Sequence, residues 1–162
     1  VATDFYEWCN IIISDNYRIL PFQKHHIYLL DNDKFQQIMM EQIPDFPKWV
    51  EAQALSGPCV TVFEDGKPLL CFGFVMLWNG VAEGWMLKDK SVIDKYLHLG
   101  RFSRLLFKGF GTVLRLHRIQ FHISSINFPA TRFAEFLKFK KEGILKQYGP
   151  DKIDFYIYGR NY

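Results

Sequence analysis

Cysteine is scarce in this chain. Cys9, Cys59 and Cys71 are the only three in 162 residues, an odd number with no C-x-x-C spacing. That argues against a disulfide framework and for reduced thiols in an intracellular or virion setting. Cys59 and Cys71 fall in apolar strand patterns and are expected as small core residues. An excess of charge of one sign is also lacking: a net +3 is too small to imply nucleic-acid binding by itself. No long hydrophobic run occurs. The longest, Leu69 to Trp78, is too short to span a bilayer and contains Gly73. The first residues show no signal-peptide order, so a soluble chain is expected. The five histidines have no metal-ligand spacing, and the adjacent His25 and His26 cannot both reach one ion from a helix or strand. No metal site is expected, and His122 on an apolar strand reads as a hydrogen-bonded core residue. G-x-S-x-G, Walker and paired-carboxylate signatures are absent as well.

What the chain has in plenty is aromatic side chains, 17% of the residues with 16 Phe, which predicts a core of large residues. The length suits one domain. Residues 1–16 place Phe5, Trp8, Ile12 and Ile13 near helical spacing, as an extension packed on a single domain of residues 17–162. Tyr17 to Leu20 reads as a strand stopped by Pro21, and Asp31-Asn32-Asp33 offers N-cap chemistry for a helix through Phe35, Ile38 and Met39. Pro47 opens a second helix with Trp49, Val50 and Ala54, closed by Gly57-Pro58. Cys59 to Phe63 and Leu69 to Leu77 form a hairpin about Asp65-Gly66, and Asn79-Gly80 repeats the signal before Val81 to Leu87. Ser91 to about Leu116 has helical period. Ile119 to Ile123 is a strand, Pro129 opens a helix to about Lys140, and Ile144 to Tyr148 pairs with Asp154 to Tyr158.

This order, together with the run Asn127-Phe-Pro-Ala-Thr-Arg-Phe-Ala-Glu-Phe-Leu-Lys-Phe-Lys-Lys-Glu-Gly143, resembles the GNAT N-acetyltransferase superfamily. The run follows the family's N-x-x-A-x-x-L-Y-E-K-L-G-F-x-x-E-G in register. The resemblance spans about residues 17–158 and implies an α/β (α+β) fold, a mixed central sheet of about six to seven strands with helices on both faces. In it, Val81 to Leu87 and Ile119 to Ser124 are parallel neighbours across a right-handed helical crossover. It also implies acetyl-CoA as cofactor, met by the backbone at Leu87 and Lys88, by Arg101, Ser103 and Arg104 on the long helix, and by Asn127. Glu83 is the implied general base, which requires it to face the cleft with its pKa raised by burial. A solvent-facing carboxylate is the plainer reading of that position.

Three positions depart from the family pattern. The pyrophosphate loop R/Q-x-x-G-x-G/A has its best register at His98 to Ser103, where Arg101 replaces the central glycine and would obstruct the phosphates. Ala134 stands where a tyrosine would protonate the departing thiolate, and Lys138 replaces a glycine. Tyr148 carries a hydroxyl that the sequence does not place. Arg101, Arg104, Lys108 and Arg115 share one helical face, either solvated or available to a phosphate, a nucleic acid or an acidic partner.

Finally, Cys59-Val-Thr-Val62, the hairpin Asp65 to Leu69, Trp85-Met-Leu87 and Arg101-Phe-Ser-Arg104 resemble a tailed-phage branch of GNAT-like proteins that includes internal virion proteins. This implies a phage-encoded protein with degenerate or absent acetyltransferase activity and acetyl-CoA binding weak or lost. It would act in the virion or the infected-host cytoplasm on a phage or host protein. The alternative is an active acyl-CoA-dependent N-acyltransferase with Glu83 as base.

Overall fold

The computed structural model describes residues 2–12 and 16–162; Ile13 lies outside them. Apolar runs punctuated by two tight turns build the middle of a seven-stranded mixed sheet. β1 (Tyr17–Pro21) pairs antiparallel with β2 (Cys59–Glu64), which turns at Asp65-Gly66 into β3 (Lys67–Trp78). β3 turns at Asn79-Gly80 into the antiparallel β4 (Val81–Lys88). Gly66 and Gly80 have φ of 78° and 82°, the left-handed region that such turns need and that side chains disfavour.

The chain then crosses over through a 3-10 turn at Lys90–Lys95 and α4 (Tyr96–Val113) to β5 (Arg118–Ser124), parallel to β4. After α5 (Phe128–Phe136), β6 (Lys140–Leu145) forms the far edge and β7 (Phe155–Asn161) inserts between β5 and β6, antiparallel to both. The strand order is β1-β2-β3-β4-β5-β7-β6.

Helices cover both faces. On one, α1 (Ala2–Ile12) and α4 pack over Phe72 and Phe74 of β3, with the Phe5 ring of α1 5.5 Å from that of Phe110 of α4. Trp8 lies against Gly109, where a β-carbon would overlap the indole, and its Nε1 donates to the Leu106 carbonyl at 3.3 Å. On the other face, α2 (Lys34–Gln42) and α3 (Phe46–Leu55) sit over Ile27, Leu30, Cys71 and Leu87. Asp33 caps α2 by accepting from the amides of Phe35 and Gln36.

All three cysteines are buried, and burial pushes the thiol up to about 12 at Cys9 and about 11 at Cys59 and Cys71. They are packing residues, not nucleophiles. No helix among the described residues is long and apolar enough to cross a membrane.

Several element boundaries differ from the sequence expectation: the long helix starts at Tyr96 and not at Ser91, and β6 runs Lys140–Leu145 instead of Ile144 to Tyr148. The long helix ends at Val113, so Arg115 lies beyond its cap with φ of 54° and leaves the basic face to Arg101, Arg104 and Lys108. α5 stops at Phe136, short of Lys140. Lys138 has φ of 70°, with its N–H on the Glu135 carbonyl and that of Phe139 on the Ala134 carbonyl. Lys138 thus ends α5 in the left-handed conformation that helix ends most often give to glycine.

Candidate active site between the fourth and fifth strands

β4 and β5 pair only over Val81–Arg118, Ala82–Ile119 and Glu83–Gln120, then separate. At the point of separation a β-carbon on Gly84 would overlap the Phe121 ring, which packs at 4.9 Å on Phe139. Strand alternation decides which amides face the gap. The Asp89 N–H donates to the Leu69 carbonyl on the β3 side. Lys88 turns the other way, its N–H donating to Gln36 Oε1 at 2.7 Å and its carbonyl accepting from Gln36 Nε2 at 2.8 Å. Gly84 and Met86 share the orientation of Lys88, so their N–H groups point into the gap. The two amides implied from sequence are therefore committed elsewhere: Leu87 is directed to Cys71 of β3, and Lys88 is taken by Gln36.

The same period of two gathers three polar side chains at the apex. Glu83 Oε1 lies 2.9 Å from His122 Nδ1, and Gln120 Nε2 donates to Glu83 Oε2 at 3.3 Å. Burial by itself raises the Glu83 pKa; the hydrogen bond and charge of His122, with the Gln120 bond, outweigh it and leave the carboxyl below its ordinary value. The expected upward shift is thus reversed. An ionised carboxylate can only accept, so the proton of this bond sits on His122 Nδ1, and in the neutral ring Nε2 is the acceptor. His122 was not recognisable as a site residue from its apolar surroundings. The register supplies the missing signal: Glu83 sits opposite Gln120, and His122 follows on the same face of β5.

A cavity of about 330 Å³ runs through this gap and has walls on both faces of the sheet. Phe35, Met39, Phe46, Trp49 and Trp85 line the α2–α3 side; Met86, Phe107, Ala130, Phe133 and Ala134 line the α4–α5 side. Glu83 and His122 lie between them, and the Tyr148 ring stands 5.5 Å from the His122 ring. An apolar recess of about 60 Å³ shares Met86, Phe107, Ala130 and Phe133 and continues beneath Leu99, Phe102 and Ser103 of α4. Lys88 Nζ reaches Asp33 Oδ2 at 2.9 Å, both side chains largely buried.

The remaining sequence candidates fall as follows. α4 begins at Tyr96, so the stretch from His98 to Ser103 is helix and not a loop; the side chain of His98 lies outside those described. Arg101 is exposed and lines neither cavity. Ser103 lines the recess, and the Arg104 guanidinium lies 5.1 Å over the Phe136 ring. Asn127 lines the cavity while capping α5, its Oδ1 accepting from the Ala130 N–H at 3.2 Å. Among the described residues no group of three His, Cys, Asp or Glu side chains could hold a metal.

No protein-family model matches the chain, and no curated protein matches its sequence. Solved structures do. A GNAT-family acetyltransferase from Bacillus anthracis superposes with a TM-score of 0.69 at 17% identity, covering 92% of this chain and 96% of that one. The ribosomal L7/L12 α-N-protein acetyltransferase RimL in complex with coenzyme A gives 0.69 at 15%, over 92% and 96%. The microcin C7 self-immunity acetyltransferase MccE with acetyl-CoA and AMP gives 0.69 at 14%, over 92% and 94%. What the chain has in common with them is the fold of the GNAT acetyltransferases.

Proposed function

We propose that the chain is an acyl-CoA-dependent N-acyltransferase in which His122, oriented by Glu83, accepts the proton of the attacking amine. The observation that carries this is the Glu83–His122 pair at the apex of a cavity with walls on both faces of the sheet. A base must lie where donor and acceptor meet, and a passage through the sheet lets them arrive from opposite sides.

The residues present fit an acyl-CoA. The apolar wall from Ser103 and Phe102 to Met86 and Phe133 is a continuous path for the pantetheine arm. When bound, acyl-CoA supplies the acyl group as a thioester. The chain's own part is to aim the Gly84 and Met86 amides at the carbonyl oxygen and to hold His122 Nε2 ready for the amine proton. Glu83 fixes the imidazole tautomer and offsets the charge that the ring gains. The absence of a tyrosine at Ala134 leaves the thiolate, a fair leaving group, to depart without a placed acid.

Two of the three changes that suggested a degenerate enzyme lie off this path: Arg101 is on the outer face of α4 and Lys138 ends α5, while Ala134 stays in the cavity wall. Release of free thiol from acetyl-CoA in the presence of an amine panel tests the proposal, with His122→Ala as the control variant.

A further inference from the structure

The charges lining the acceptor side of the cavity are closed into pairs. Asp33 Oδ2 has no partner other than the Lys88 ammonium, and Glu83 is held by His122 and Gln120. With one proton on the imidazole, the Glu83–His122 pair carries a single negative charge, and the Asp33–Lys88 pair carries none. The rest of this wall is mainly aromatic and thioether surface, with the uncharged Gln36 and Gln53 beside it. Trp49 stacks on Phe46 with centroids 5.9 Å apart at 24° and is 40% exposed; Tyr148 is 59% exposed beside His122.

Such a wall distinguishes amines by their charge and body. One ammonium finds the net negative charge at the apex and aromatic faces on its way in. A second ammonium would need a carboxylate, and the nearest one off the apex is already held by Lys88. A phosphate or carboxylate would need a cation, and Lys88 is held in turn by Asp33. Either group would lose its water without an opposite charge from this wall in return.

We infer that the acceptor is a small primary monoamine carried on an uncharged aromatic or alkyl body, seated between Trp49, Phe46 and Tyr148 with its nitrogen at His122. This rests on the acyltransferase reading for its chemistry and on the pocket alone for its selectivity.

Calorimetric titration with 2-phenylethylamine, spermidine and glutamate, with and without coenzyme A present, reads the selectivity directly. 2-Phenylethylamine should bind about tenfold or more tighter than the other two, the order of one desolvated cation–π contact. Trp49→Ala should remove that margin. Gln53→Glu, which adds a carboxylate to the same wall, should shift the balance toward spermidine by about tenfold. Equal affinities, a preference for spermidine or glutamate, or no binding under either condition would overturn the inference. The thiol-release assay separates it from the reading beneath it. Faster transfer to spermidine or glutamate removes the inference and leaves an acyltransferase. Selective binding of 2-phenylethylamine with no thiol release from any amine removes the enzyme and leaves the pocket's selectivity.

Discussion

The ring of Phe121 fills the space where Gly84 would carry a β-carbon. Glycine at this point lets the aromatic wedge sit in the gap just where β4 and β5 stop pairing. Gly84→Ala should push the ring against Phe107 and Phe139 and cost about 1–3 kcal/mol, the usual range for overpacking a filled core. Urea denaturation measures the loss. A variant as stable as the parent would mean that the wedge does not hold the gap open.

Lys138 is a lysine in a glycine conformation. A side chain at φ of 70° carries a local penalty of roughly 1–2 kcal/mol, which glycine avoids at some cost in unfolded-state entropy. Lys138→Gly should therefore raise stability, by up to about 1 kcal/mol, with acyl transfer unchanged. A thermal melt shows the shift; a lower midpoint would contradict the assignment of this residue as the helix end.

The folded-state pKa of Glu83 lies below its reference value of 4.5. Its hydrogen bonds to His122 and Gln120 therefore stabilise the fold above about pH 4.5, and that share is lost as the pH falls through the lower folded value. The stability gap between wild type and Glu83→Gln should be widest near neutrality and should close in acid. Denaturation curves at a series of pH values test this, and a gap that widens in acid would reverse the sign.

Arg101, Arg104 and Lys108 line the outer face of α4. Neutralising Arg101 and Lys108 should change stability by no more than about 0.5 kcal/mol. Arg104 adds roughly 0.5–1 kcal/mol through its place over Phe136. Acetyl-CoA affinity should be unaffected. A salt-sensitive loss of acetyl-CoA binding would make these side chains phosphate contacts, and loss of a partner in a pull-down would make them a docking face.

Much of the fold was legible before the structure, because its signals are local. Asp65-Gly66 and Asn79-Gly80 mark the turns, Asp33 marks a helix start, and the parallel pairing of β4 and β5 follows from a long helix between two apolar strands. The site was less legible, because it depends on register. Glu83 was in view as a base, but which strand face it occupies, and that His122 meets it, follows from the opposition of Glu83 to Gln120, which only the assembled sheet defines. The pKa argument failed for the same reason: burial was foreseeable, and the imidazole beside the carboxylate was not. The place of Arg101 also depended on where the helix starts: a helix beginning at Tyr96 puts it inside the helix instead of in a loop at its mouth.

The account stands or falls on His122. Initial rates of thiol release from acetyl-CoA, measured with a panel of primary amines for wild type, His122→Ala and Glu83→Gln, test it most directly. We expect transfer by the wild type and a fall in kcat on the order of 10²–10⁴ in His122→Ala with folding intact. Glu83→Gln should be slowed as well, because the imidazole loses the carboxylate that fixes its tautomer and orientation. Transfer undiminished in His122→Ala, or no transfer by the wild type to any amine, would contradict the account.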